Sequence, residues 1–284
     1  MILIAGATGT VGRSLILELK ARSAPLRVLT RNPGRARNFL GEVECAVGDV
    51  SRPETVANAL AGVEAAFLLS PLDPSLPAWE AGFARAAKKA GVKRLVKLSA
   101  LGADPRSPAA IARWHGEAEA EVARAGVPFT LLRPAAFYQN FLASADSIRR
   151  GALAAPMGIA SIAMVDARDV GAAAAAVLTA PSPLEGSATL TLTGPAPLSY
   201  AEAASVMSAA LGRPVAYADI APDDARRGML AAGMPAWLID ALLGLAEQFR
   251  AGRADVRSDG VLKATGREPL SLERFVRDHA AAFA

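Results

Sequence analysis

The sequence predicts an α/β protein, a doubly wound parallel sheet followed by a smaller mixed C-terminal lobe. Three observations carry this: short apolar runs without in-out alternation, helical periods between them, and a change of rhythm near Gly151. A strand over 1–5 leads into an amphipathic helix over 10–22 and a second strand over 26–30, completing a β-α-β unit. Pro33 opens a short helix, and then come a strand over 43–47, a helix over 53–60 and a buried strand over 65–69. A long helix over 76–90 precedes a strand over 94–99. After a Gly/Asp/Pro-rich loop, a helix over 111–125 and a strand over 128–133 follow. Beyond Gly151 glycine and proline recur every few residues, with one clear strand over 188–193 and helices over 200–211, 222–232, 235–249 and 271–283. The expected division is 1–150 as the first domain, with 166–182, which carries an Ala-rich helix over 170–178, packing back on it. Residues 151–165 and 183–284 make the smaller lobe, and the cleft between lobes, at the carboxyl ends of the strands, is where a ligand is expected.

Composition excludes several chemistries. The 284 residues are 52% hydrophobic and 20% charged, which suits a chain that buries a core. There are two histidines, three tyrosines and one cysteine. Cys45 alone closes no intrachain disulfide, and this set supplies no zinc cluster, so no metal is expected and a reducing cytoplasm suits the chain. Met1 runs straight into apolar residues with no basic segment before them, unlike a secretory leader. Uncharged stretches such as 171–184 fall short of the roughly 18 to 20 residues that a membrane helix needs. The net charge of +4 is spread along the chain except for Arg27, Arg31, Arg35 and Arg37. Without helix-turn-helix or interleaved aromatic patterns, that cluster reads as an anion pocket or a solvated face and not as a nucleic-acid footprint.

The strongest motif stands directly after the first strand: Gly6-Ala7-Thr8-Gly9-Thr10-Val11-Gly12. Gly6 is placed to turn the chain, Gly9 to leave room for a pyrophosphate, and Gly12 to let the helix sit close on the sheet. The helix N-terminus then offers free N–H groups to phosphate. In a β-α-β unit of about thirty residues, the pattern predicts a dinucleotide-binding, Rossmann-type domain. At the end of the second strand, where an NAD enzyme carries an acidic residue, stands Thr30-Arg31-Asn32. A guanidinium there suits a 2′-phosphate, with Arg35 or Arg37 closing around it, so NADP(H) is expected in preference to NAD(H). Asp49, beside Val50, is placed either to accept from an adenine amino group or to cap its own turn.

With Leu98-Ser99, His115 and Glu119, Leu132-Arg133-Pro134 followed by Asn140, and Asp166 with Asp169-Val170, these residues resemble the NmrA-like group of atypical short-chain dehydrogenases. The resemblance runs in order over about the first 180 residues and more loosely beyond. It implies NADP(H) with the nicotinamide facing a cleft under the smaller lobe, and a monomer or homodimer. The group includes quinone oxidoreductases, azoreductases, triphenylmethane reductases and redox-sensing regulators.

Ordinary short-chain dehydrogenases use a Tyr-x-x-x-Lys pair. Tyr138, Tyr200 and Tyr217 are followed at the fourth position by Leu142, Ala204 and Ala221, so this chain has none. The remaining candidate is His115, on one helical stripe with Glu119, whose carboxylate is expected to orient the ring or raise its pKa and make it a proton donor. In the resembled reductases a histidine or lysine holds this place; a packed core histidine is the other reading. His279 is expected at the surface. Leu69, Ser70 and Pro71, and Ser99 and Ala100, follow strands and are placed to hold the cofactor's ribose. Pro134 and Ala135 are expected to flank the nicotinamide, with Phe137 and Asn140 toward the substrate. The expected reaction is hydride transfer to a small-molecule electron acceptor, quinone-like or azo- or dye-like. The alternative is a non-catalytic NADP(H) sensor acting on a partner protein, and turnover separates the two.

Overall fold

The computed structural model describes residues 1–181 and 188–284. Seven parallel strands form the main sheet: β1 (Ile2–Ile4), β2 (Leu26–Thr30), β3 (Glu44–Val47), β4 (Ala65–Leu68), β5 (Arg94–Leu98), β6 (Phe129–Pro134) and, far along the chain, the strand Ala188–Leu192. The spatial order is β3-β2-β1-β4-β5-β6 and then that last strand, so the direction of winding reverses between β1 and β4. Such a reversal opens a crevice at the carboxyl ends of the strands.

The sheet is covered on both faces, which is why its strands read as apolar runs. On one face lie α1 (Thr10–Ala21) and the Ala-rich helix Ala167–Thr179. Gly171 allows a close approach: a Cβ there would lie 2.7 Å from the backbone nitrogen of Leu15. On the other face lie α3 (Val56–Ala59), α4 (Leu76–Lys89) and α5 (Ala110–Arg124). The helix α2 (Pro33–Leu40), between β2 and β3, starts at Asn32, whose side chain accepts from the Arg35 amide at 2.9 Å, and Pro33 takes its first position. The segment expected to be helical over 53–60 divides into a 3₁₀ turn, Pro53–Thr55, and the one-turn α3.

After β6 the chain makes a 3₁₀ stretch, Tyr138–Ser144, then α6 (Ala145–Arg149), β7 (Ala152–Ala155) and β8 (Ser161–Ile162) before α7, the Ala-rich helix. Beyond residue 188 come β9, the last strand of the main sheet, β10 (Leu198–Ser199), α8 (Tyr200–Leu211), β11 (Ala216–Asp219), α9 (Pro222–Ala231), α10 (Ala236–Arg250), α11 (Gly260–Thr265), α12 (Leu272–Asp278) and α13 (Ala280–Phe283). In the smaller lobe β11 pairs with β7 in parallel and β10 with β8 antiparallel. A core of Tyr138, Phe141, Met207, Phe275 and Phe283 sits beneath them.

One expectation is corrected. The strand 188–192, assigned from the sequence to the smaller lobe, extends the main sheet by pairing with β6, Thr130 opposite Ala188 and Pro134 opposite Leu192. Central strands gain ladder hydrogen bonds on both sides, and β6 would otherwise present an open apolar edge. The lobe boundary expected at 182–183 lies outside the described residues, as does the end of the uncharged stretch 171–184. Among the described residues, no helix is long and apolar enough to cross a membrane. His279, expected at the surface, is half-buried, its ring 4.3 Å from that of Phe275.

Candidate active site

The glycines of the first loop do three different jobs. Gly6 takes φ +72°, and a Cβ there would lie 2.8 Å from Leu69 Cγ. Gly9 is extended, donates its N–H to the Gly6 carbonyl at 3.1 Å and caps α1 with no side chain in the way. A Cβ on Gly12 would run into the Gly6 carbonyl and the Ala7 backbone, so only glycine lets α1 start this close to the sheet. No acidic residue stands in the first turn of α1, which leaves its N-terminal dipole available to an anion.

At the winding reversal a cavity of ≈ 910 Å³ opens over this loop. Its walls are residues 6–9, 29–32, 48–51 and 69–71, with Arg35, Ala36 and Trp79. It thus unites eleven residues read from the sequence: Gly6, Ala7, Thr8, Gly9, Arg31, Arg35, Asp49, Val50, Leu69, Ser70 and Pro71. Thr10, Val11 and Gly12 lie behind the wall as the start of α1, the latter two buried. Arg31 is exposed, with Nη1 3.7 Å from Asp49 Oδ2. Asp49 also caps its own turn, accepting from the Ser51 amide at 2.9 Å. Its partial burial pushes its pKa up, but the Ser51 hydrogen bonds and the Arg31 charge outweigh this and hold the carboxyl below its ordinary range. Arg35 and Arg13 both lie over the Phe39 ring, 5.7 and 5.9 Å from its centroid. Of the other arginines in the sequence cluster, Arg27 turns away to Glu44 and the carbonyls of Ala59 and Ala61, and Arg37 does not reach the cavity wall. Ser70 is buried on this wall, its hydroxyl against the buried Glu80 carboxylate. A backbone cradle at a helix N-terminus and a guanidinium at the β2 end together fit a phosphorylated dinucleotide.

The remaining candidates lie along the ends of β5 and β6, off this wall. Ser99 donates its hydroxyl to Glu119 Oε1 at 2.5 Å. Arg133 binds the same carboxylate through two nitrogens, its Nε at 2.8 Å from Oε1, and that pairing holds the guanidinium in its charged form. Glu119 is therefore spoken for, and it does not orient His115, contrary to the helical-stripe expectation. A turn of helix brings two side chains to one face but does not decide which meets the other, and the fork of Arg133 offers the carboxylate a stronger partner.

The group that meets His115 is Lys97, with Nζ 3.3 Å from Nδ1. Burial, and then the Lys97 charge, hold the His115 pKa well below its ordinary range. The ring is neutral at neutral pH, the reverse of what a nearby carboxylate was expected to produce. Lys97 is fully buried and ion-paired at 2.8 Å with Glu80, itself buried in α4. Burial pushes Glu80 up against the pull of Lys97. The sequence reading missed both residues. The signal available was a lysine in the middle of the apolar strand Arg94–Leu98, a position that only a paired charge occupies.

Pro134 and Ala135 are buried, and their backbones bond to Leu101 and Leu192. Phe137 is half-buried against the core beneath the sheet, and Asn140 is exposed. Ala100 is half-buried beside Ser99. Next to His115, Trp114 meets Trp237 of α10 edge-on, with centroids 6.1 Å apart, so the smaller lobe touches the helix that carries the histidine. None of the three tyrosines is free to serve as a short-chain dehydrogenase proton donor. Tyr138 and Tyr200 sit in the smaller lobe's core, and the Tyr217 hydroxyl is bonded to Asp219, Ala155 and Met157.

Residues 6–181 match the NAD(P)H-binding family. The chain is 39% identical over 289 residues to the NAD(P)H azoreductase of Xenophilus azovorans, covering all of this chain and 99% of that one. Among solved structures it superposes on the NADPH-dependent quinone oxidoreductase QOR2 of Escherichia coli in complex with NADPH, with a TM-score of 0.88 and 28% identity over 99% and 100% of the two chains. It also superposes on the triphenylmethane reductase of Citrobacter sp. complexed with NADP(H), with a TM-score of 0.87 and 25% identity over 98% and 99%.

Proposed function

The chain belongs to the NAD(P)H-binding family, among the NmrA-like atypical short-chain reductases; on that premise we propose that it is an NADPH-dependent oxidoreductase delivering hydride to a quinone-like or dye-like acceptor. The observation that carries this reading is the cavity at the winding reversal, floored by the 6–9 backbone and rimmed by Arg31, which suits a dinucleotide carrying a 2′-phosphate. When bound, the reduced nicotinamide supplies the hydride.

The protein's own residues bind and orient. The 6–9 amides and the α1 N-terminus hold pyrophosphate, Arg31 and Arg35 take the 2′-phosphate, and Ser70 lines the wall where the ribose lies. His115 is the polar group offered to the acceptor. As a neutral imidazole it donates a hydrogen bond to the charge that develops as hydride arrives and does not hand over an acidic proton. The redox-sensor alternative recedes because the relatives reported above carry reductase names. A monomer or homodimer in the cytoplasm completes the reading, consistent with the single unpaired cysteine.

The test is NADPH oxidation against a panel of quinones, azo dyes and triphenylmethane dyes. We expect turnover with at least one class, and His115→Ala to lower kcat by roughly tenfold to a hundredfold. Protein that binds NADPH but oxidises it no faster than background across the panel would sink the assignment.

A further inference from the structure

The mechanism leaves one buried charged pair without a task. Lys97 Nζ has three neighbours: Glu80 Oε2 at 2.8 Å, the Leu98 carbonyl at 3.1 Å and His115 Nδ1 at 3.3 Å. An ammonium has three donors and no acceptor. The first two neighbours only accept, so the third proton points at Nδ1, which must accept it with a lone pair.

We propose that Lys97, pinned by Glu80, is a positioning residue that holds Nδ1 of His115 as an acceptor and thereby places the ring's single proton on Nε2, the nitrogen left to serve the acceptor. This rests on the reading of His115 as the group that faces the acceptor. The strand and two helices converge to make it work. β5 carries Lys97 with its whole stem buried, α4 brings Glu80 from one side, and α5 brings His115 from the other. Among the described residues, Lys97 is the charged group acting on the ring. Glu119 on the same helix is turned to Ser99 and to Arg133 of β6, and Glu80 acts through Lys97. The balance is complete without a proton relay. When bound, the reduced nicotinamide would supply one hydride, which carries two electrons and one proton, to the acceptor; Nε2–H hydrogen-bonds the resulting anion, and the one further proton comes from solvent on release. Glu80 also stands next in the chain to Trp79 on the cavity wall, so the same helix touches both halves of the site.

With two histidines in the chain, ¹⁵N-histidine NMR reads the tautomer directly, and His279→Gln assigns the signals. The wild-type protein is expected to show His115 as the Nε2–H tautomer, staying neutral well below the pH at which an ordinary histidine takes up its second ring proton. Because Lys97→Met alone strands a buried carboxylate and threatens folding, the informative variant is Glu80→Leu with Lys97→Met, an apolar pair of similar volume. In it the ring's titration midpoint should rise, the Nδ1–H form should appear, and kcat should fall by roughly tenfold with KM for NADPH unchanged. The proposal is overturned by an Nδ1–H ring in the wild type, by a double variant with the wild-type spectrum, or by a double variant that keeps its kcat while His115→Ala loses it. If His115→Ala itself keeps full kcat, the functional reading of His115 fails instead.

Discussion

Two polar regions sit side by side at the carboxyl ends of the strands, and they are built from opposite materials. The cofactor cavity between β1 and β4 is largely backbone: glycine-dependent amides, a helix N-terminus and exposed arginines on its rim. The region beneath the ends of β5 and β6 is side chain throughout, with Glu80, Lys97 and His115 in one cluster and Ser99, Glu119 and Arg133 in the other, mostly sealed from solvent. The first can accept a charged ligand because it has left donors unpaired. The second sets its buried charges against one another in ion pairs, so its charges fix geometry. A region with free donors should respond to substitution in affinity, and a region of matched charges should respond in stability.

The sharpest way to break this contrast is Lys97→Ala. It strands the Glu80 carboxylate in the core and should cost about 3–5 kcal/mol of folding stability, read as a fall in the midpoint of denaturant unfolding. A loss of under 1 kcal/mol would mean that the pair is not sealed. Next in size is Gly12→Ala, where the new methyl meets the Gly6 carbonyl and the Ala7 backbone. We expect about 1–3 kcal/mol from overpacking, together with loss of NADPH binding by titration of tryptophan fluorescence; unchanged binding would place the loop's role elsewhere.

Asp169 sharpens the point with pH. Burial pushes its carboxyl up to about 6, although its side chain accepts the Leu270 amide at 2.8 Å. The folded state thus holds this proton more tightly than the unfolded chain does. Its contribution is fully present below the unfolded pKa near 3.8 and is lost as pH rises through about 6. Asp169→Asn should abolish a pH-dependent change of about 3 kcal/mol across that range, so the stability gap between variant and wild type widens in the variant's favour from pH 4 to 7. Parallel curves would refute it. The smallest effect belongs to the exposed rim. Arg31→Asp should leave stability within about 0.5 kcal/mol while lowering the NADPH-to-NADH affinity ratio by roughly tenfold or more. An unchanged ratio removes Arg31 from the 2′-phosphate reading.

The same contrast explains what was legible in the sequence. Gly6, Gly9 and Gly12 announce their positions because only glycine tolerates those backbone demands, and the spacing is local. The strand periods and the α1 and α8 boundaries follow likewise from short-range patterns, including the Ser199–Glu202 capping box. Glu80, Lys97 and His115 are brought together from α4, β5 and α5, and no local pattern encodes which residues meet across such distances. The pairing of Glu119 with Arg133 was hidden for the same reason, so helical spacing alone suggested the wrong partner for His115. The short strands β7, β8, β10 and β11 went unread because two to four residues carry too little periodicity.

The late arrival of β9 has a consequence for how the molecule is made. The chain leaves the sheet after β6, lays down α6, β7, β8 and α7, and only then returns to seal the β6 edge, where Gly260 of α11 packs directly on Thr191. A nascent chain that has emerged only to residue 150 therefore exposes an apolar parallel edge with Leu131 and Leu132 unsheltered. The nucleotide-binding half is thus expected not to behave as an autonomous module when excised or fused elsewhere. A fragment ending at residue 150 is expected to sediment as aggregate, and co-expression with a piece carrying 151–284 should restore a soluble species.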